Sequence, residues 1–261
     1  MPDAENASLL LVTQYDGSGF SGWQRQPDVR TVQGEMERTL ERLCGEPVSA
    51  IAAGRTDAGV HAHGQGVGVT VPSKWTAAEL RRALNATLPP DIWVAEAHPM
   101  HPSFHPRFSA ERRRYAYVIG TDDASMSPFR RRTEWALRKP LDIDLLNAEC
   151  APLLGEHVFH AFAIRGTAPA EDDHRCRIHL ARWRERPGVV VFDVEANRFL
   201  HHMVRFLVGT MVEVAIGRRS AGSIRQLLTA PDNSGTSAPA PPHGLFFEAV
   251  TYPPNVYLSS A

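Results

Sequence analysis

Cysteine is scarce in this chain, and no uninterrupted hydrophobic run is long. The 261 residues include three cysteines, Cys44, Cys150 and Cys176, an odd number with no CxxC spacing. That excludes a disulfide framework and a thiolate zinc site. The most apolar stretch, residues 199–216, carries His201, His202, Arg205 and Glu213 and does not read as a membrane span. The opening Met-Pro-Asp-Ala-Glu-Asn is acidic where a leader peptide is basic, so a cytoplasmic location is expected. Several nucleotide and hydrolase signatures are also missing: GxxxxGKS/T, GxSxG, HExxH, and a GxGxxG that opens a helix after a strand. Gly64-Gln-Gly-Val-Gly68 lies inside a strand candidate and is a weak phosphate signal.

What is present is an ordinary globular composition, 43% hydrophobic and 22% charged, which excludes a disordered chain. The net charge of −1 hides an uneven distribution. Between Arg107 and Lys139 nine basic residues face four acidic ones. A local excess of that kind suits a polyanionic partner, with its arginines, among them Arg130, Arg131 and Arg132, contacting phosphates.

Periodicity predicts strands at residues 9–15, 48–53, 66–71 and 92–97. Helices are predicted at 31–43, with Thr31 as N-cap, and at 77–88. This β-α-β-β-α-β order is that of a ferredoxin-like unit. The second half repeats the layout. It has strands at 114–119, 178–184 and 189–195, helices at 144–154, 199–216 and 223–228, and a closing strand at 245–252. Prolines at 99, 102 and 106 mark a linker at 98–106. The expected organisation is therefore an N-terminal half, residues 1–105, and a C-terminal half, residues 106–261.

Three segments can carry chemistry. In Gly54-Arg-Thr-Asp-Ala-Gly-Val-His61 two glycines bracket Asp57 directly after a strand. A carboxylate on such a turn can serve as nucleophile or base, or can simply satisfy local N–H groups. In Arg112-Arg-Arg-Tyr-Ala-Tyr117, alternation puts Tyr115 and Tyr117 on one face beside arginines, an arrangement that suits RNA or a half-buried strand. In Asn197-Arg-Phe-Leu-His-His-Met-Val-Arg205, an arginine lies among apolar neighbours, which calls for an anionic partner or an escape to solvent. Twelve histidines, including His61 with His63 and His201 with His202, raise a metal-hydrolase alternative, but no carboxylate completes a ligand spacing.

Taken in order, these segments resemble the tRNA pseudouridine synthase A family, the TruA type. The resemblance rests on Tyr15-Asp-Gly-Ser-Gly-Phe-Ser-Gly-Trp-Gln24, Thr31-Val-Gln33, the Asp57 octapeptide, Leu84-Asn85, Leu88-Pro-Pro-Asp-Ile92 and Phe104-His-Pro-Arg-Phe-Ser-Ala110. Arg114-Tyr115, Phe199-Leu-His-His-Met-Val-Arg205 and Ala240-Pro-Pro-His-Gly-Leu245 continue it. One departure is Val158, where the family has an acid.

The resemblance implies an α+β fold of two ferredoxin-like (RRM-like) halves. Their antiparallel sheets would form one extended sheet with a central cleft. It implies isomerisation of uridine to pseudouridine in the anticodon stem-loop of tRNA, positions 38–40, by a homodimer without cofactor or metal. Asp57 would be the catalytic residue. Arg205 would lie near it, Tyr115 would pack on the target base, and Arg55 would fill the space that the flipped base vacates. Leu245 would complete the substrate-binding set. The rival reading is a non-catalytic RNA-binding protein of paired ferredoxin-like modules.

Overall fold

The computed structural model describes residues 6–167 and 171–258. The chain forms two compact units. One comprises the residues up to Glu111 together with those from Phe247 onward, the other Arg112–Phe246. The predicted boundary at residue 105 falls short of the first unit's edge, and the last segment of the chain returns to that unit. The physical reason lies in the proposed linker, which is packed. Phe104 is buried edge-on against Tyr252 at 5.1 Å, and the Tyr252 hydroxyl donates to the Pro106 carbonyl at 2.9 Å.

The first unit holds strand β1 (Asn6–Tyr15), helix α1 (Val32–Cys44), β2 (Ile51–Ala52), β3 (His61–Pro72), α2 (Ala77–Thr87) and β4 (Ile92–Met100). β1 pairs antiparallel with both β3 and β4, and β2 pairs antiparallel with β3. α1 begins where expected, because the Thr31 hydroxyl accepts from Gly34 N–H, and stops at Gly45, whose φ of +83° is the left-handed cap. Val32, Met36 and Leu40 are fully buried along one face. α2 opens with a reciprocal capping box between Thr76 and Glu79 and buries Leu80 and Leu84. Asn85 then ties that helix to β4, with its amide bonding both N–H and C=O of Val94 at 2.8 Å.

β3 begins at His61, five residues before the predicted start. Alternate glycines hid it. Gly64, Gly66 and Gly68 face Glu248, Tyr252 and Pro106, where a Cβ would collide with the Glu248 carbonyl, the Tyr252 hydroxyl and the Pro106 ring. The glycine alternation flagged as a weak phosphate signal is thus a packing surface.

The second unit holds β5 (Arg112–Gly120), β6 (Trp135–Ala136), α3 (Ile143–Cys150), β7 (Gly155–Val158), β8 (Arg175–Arg186), β9 (Val189–Ala196), α4 (Met203–Ala215) and α5 (Ser223–Leu227). β10 (Leu245–Thr251) starts here and ends in the first unit. β5, β9, β8 and β7 follow one another as antiparallel neighbours, with β6 parallel to β5. Asn147 on α3 clasps N–H and C=O of Trp183 at 2.9 and 3.3 Å, the device Asn85 provides in the first unit. α3 ends four residues before its predicted limit, because Pro152 cannot continue it.

α4 is apolar on nearly all sides and correspondingly buried. It begins at Met203, not at Phe199. His202 adopts a left-handed φ of +62°, and Phe199 is held off the helix by an edge-on contact with Tyr115 at 5.0 Å. No helix among the described residues is long and apolar enough to cross a membrane.

The glycine face of β3 makes a direct prediction. Gly64→Ala overpacks the backbone of the neighbouring strand and is expected to cost about 2 kcal/mol. A melting curve should show a fall of roughly 4–8 °C, whereas Gly45→Asn, at an open helix cap, should stay close to the parent.

Candidate active site

Asp57 sits in the tight connection between β2 and β3, partly exposed, with Arg55 exposed beside it. Gly59 follows at φ +79°, and Val60 N–H closes back on the Asp57 carbonyl at 3.2 Å. A turn of this kind is not rigid by itself. It is held by the segment after β1, the Tyr15–Gln24 stretch that the resemblance singled out without assigning it a task.

The clamp is made mostly of backbone. Trp23 N–H donates to the Thr56 carbonyl at 3.0 Å, and Gly59 N–H reaches the Phe20 carbonyl at 3.4 Å. Gly22, at φ +89°, lies so close that a Cβ would stand 2.8 Å from the Thr56 carbonyl oxygen. A Cβ at Gly17 would run into the Val60 carbonyl. Only glycine permits both approaches.

Side chains complete it. The Tyr15 hydroxyl and Thr56 Oγ1 are 2.7 Å apart, and Gln65 Nε2 donates to the Gly54 carbonyl at 2.7 Å. His61 Nδ1 accepts from Gly17 N–H at 3.1 Å and lies 3.3 Å from the Asp16 carboxylate. Burial pushes the Tyr15 phenol up to about 12, although hydrogen bonding with Thr56 and Gln65 pulls the other way. It therefore keeps its proton at working pH.

The part these groups play in holding the Asp57 turn was not legible in the sequence, where His61 figured only as a metal candidate. Their signal was polarity out of place: Thr56, His61 and Gln65 are all buried, and a buried amide or hydroxyl demands partners.

In the second unit, Tyr115 is 7% exposed, its ring edge-on to Phe199. Tyr117 is fully buried, and its hydroxyl donates to the Pro241 carbonyl at 2.7 Å. Burial drives that phenol well above its usual range, against the pull of the Arg205 charge. Tyr117 is thus a core anchor, and of the two tyrosines only Tyr115 remains a candidate for the substrate.

Arg205 is half-buried on α4. Its Nε donates to the Ala240 carbonyl at 2.7 Å, while Ala240 N–H donates to the Arg205 carbonyl at 2.9 Å. That pairing offsets part of the cost of an arginine among apolar residues and straps the loop before β10 onto the helix. A Cβ at Gly209 would meet the Ala238 carbonyl of the same loop. Leu245 is buried at the start of β10, one residue after Gly244, where a Cβ would sit 2.8 Å from the Tyr117 ring.

The arginines of the basic stretch do not behave alike. Arg130 is engaged internally by Glu134 at 2.5 Å, Asp122 at 3.0 Å and the Gly188 carbonyl at 3.2 Å. Those carboxylates, Glu134 foremost, hold it protonated. Arg113 is buried and donates to the Asn197 carbonyl at 2.6 Å. Of the three arginines expected to contact phosphate, Arg131 and Arg132 are exposed, whereas Arg130 is tied to Glu134 and Asp122.

Comparison with known proteins places the chain among similar sequences. The sequence profile of the tRNA pseudouridine synthase family matches residues 11–109 and 150–253. The tRNA pseudouridine synthase A of Moorella thermoacetica is 39% identical over 246 residues, covering 94% of this chain and 99% of the relative. Those of Shewanella amazonensis and Thermosipho africanus are each 39% identical, covering 94% and 91% of this chain and 93% and 96% of their own lengths.

The clamp predicts separable effects. Tyr15→Phe leaves Thr56 Oγ1 without its buried partner and should cost about 1–2 kcal/mol of stability. Gly22→Ala should reduce turnover far more than its fall in melting temperature accounts for, because it displaces the Asp57 backbone. Measuring kcat and Tm on both variants distinguishes the two effects.

Proposed function

The chain belongs to the tRNA pseudouridine synthase family, and on that footing we infer that it isomerises uridine to pseudouridine in tRNA. The observation that carries the catalytic assignment is the backbone clamp that holds the Asp57 turn in place. We assign the uridines at positions 38–40 of the anticodon stem-loop as targets, and a homodimer as the working form, on the family resemblance. The finer fold reading, two ferredoxin-like halves with one extended sheet and a central cleft, is supported in the first unit by its β-α-β-β-α-β order and antiparallel pairing.

The chemistry is an internal transfer. The N1–C1′ bond breaks, the uracil turns while bound, and C5 bonds to C1′. The C5 proton leaves and N1 gains one, so atoms and electrons balance without redox cofactor or nucleotide. The enzyme must provide an electron pair, a holder for the detached base and a proton route. Asp57 supplies the first, as nucleophile or base. The Tyr115 ring, braced by Phe199, holds the base, and its hydroxyl moves the C5 proton. Arg55, exposed beside Asp57, occupies the space left by the flipped uridine, whose extrusion costs a few kcal/mol. Arg205 and Leu245 complete the substrate contacts.

Tritium release from tRNA carrying C5-labelled uridine tests this against the binding-only alternative. The parent should release tritium. Asp57→Asn should lose at least about 10³-fold in rate while still binding tRNA. Tyr115→Phe should retain affinity and lose roughly 10²-fold in rate, and Tyr115→Leu should also bind more weakly. Binding without release by the parent would make the chain an RNA-binding protein instead.

A further inference from the structure

The motif Phe104-His-Pro-Arg-Phe-Ser-Ala110 has no part in the chemistry above, yet it is built with care. Its apolar residues divide by direction. Phe104 is buried against Tyr252, and Pro106 lies over Gly68. Phe108 turns the other way and is 77% exposed. Its ring is not loose. It stacks on His105 with centroids 4.3 Å apart and planes 29° from parallel.

His105 is in turn fixed by the backbone. Its Nδ1 accepts from Arg107 N–H and Phe108 N–H, each at 3.2 Å. Its own N–H donates to Ser109 Oγ at 3.1 Å, and Ser109 N–H donates to the His105 carbonyl at 2.9 Å. The Arg107 guanidinium carbon lies 5.8 Å from the Phe108 ring centroid.

An aromatic side chain left in water contributes nothing to this fold, and four hydrogen bonds hold it in that position. A planar, preoriented aromatic pair with a cation alongside is the surface on which unpaired nucleobases stack, and the cation meets the adjoining phosphate. We propose that His105 and Phe108, with Arg107, form a stacking platform for an unpaired base of the RNA substrate. The proposal rests on the reading of the chain as a tRNA-modifying enzyme. A protein partner is less well matched, since the ring is flanked by a histidine and an arginine, which suit a base and its phosphate better than an apolar side chain.

The test measures tRNA affinity as a function of salt, using full-length chains that all carry Asp57→Asn so that binding is read without turnover. Phe108→Ala should weaken binding about 5- to 50-fold with an unchanged salt slope, because stacking releases no counterions. Phe108→Trp should bind at least as well as Phe108, and Phe108→Leu should resemble Ala. Arg107→Ala should flatten the slope instead. Unchanged affinity in Phe108→Ala, or a Leu variant as good as Trp, overturns the platform. So does a change in sedimentation with affinity intact, which would assign the ring to a contact between copies. Tritium release by the parent chain is measured alongside. If the parent neither binds nor turns over tRNA, the functional reading fails. If it does both and Phe108 is silent, only the platform fails.

Discussion

Backbone-to-backbone contact between the segment after β1 and the Asp57 turn is the constraint on which the site depends. Two main-chain hydrogen bonds, Trp23 to Thr56 and Gly59 to Phe20, set the turn's position. Side chains are kept out of the contact by Gly17 and Gly22. Because the clamp is made of main chain, it tolerates little variation at the glycines and much at exposed neighbours. Tyr15, Thr56 and Gln65 then stiffen it from the buried side. A carboxylate meant to attack or to take a proton needs a defined position more than a special environment, and that is what the clamp supplies.

The second unit handles its charged residue differently. Arg205 stands on an almost wholly buried helix and meets part of its hydrogen-bonding demand through the Ala240 carbonyl. The same loop crosses α4 at Gly209 and receives the Tyr117 hydroxyl at Pro241. Arginine, glycine and tyrosine thus join in a single strap. Substitution at any of them disturbs the loop before β10 as well as the residue itself, so activity losses there must be read together with stability. Asn85 and Asn147, each clasping a strand from a helix, show that the two units share a docking device despite different strand orders.

Much of this was legible from the residues alone. Thr31 opens α1 where expected because capping is local chemistry, and Val32, Met36 and Leu40 recur at helical spacing along its buried face. Asp57 stood out because glycines on both sides of an acid after a strand are a local signal. The stretch from Gly64 to Gly68 misled for the opposite reason. Its glycines answer to Glu248, Tyr252 and Pro106, which are remote in sequence, and no short window contains them. Phe199 looked helical by periodicity, and a single aromatic contact with Tyr115 overrode that preference.

By itself the sequence determined the N-cap of α1, the apolar faces, the ordered motifs of the tRNA pseudouridine synthase family and the position of the Asp57 turn, all of which depend on neighbours within a few residues. Tertiary structure decided which residues hold that turn, which arginines of the basic stretch are engaged internally and which are exposed, that Tyr117 is core while Tyr115 remains near it with a different partner, and that Phe108 faces water on a fixed histidine. Each of these is set by packing and hydrogen bonding between segments distant in the chain or by the direction a side chain takes. Composition and spacing do not encode those geometries, because the free energy that selects them exists only once the segments are in contact.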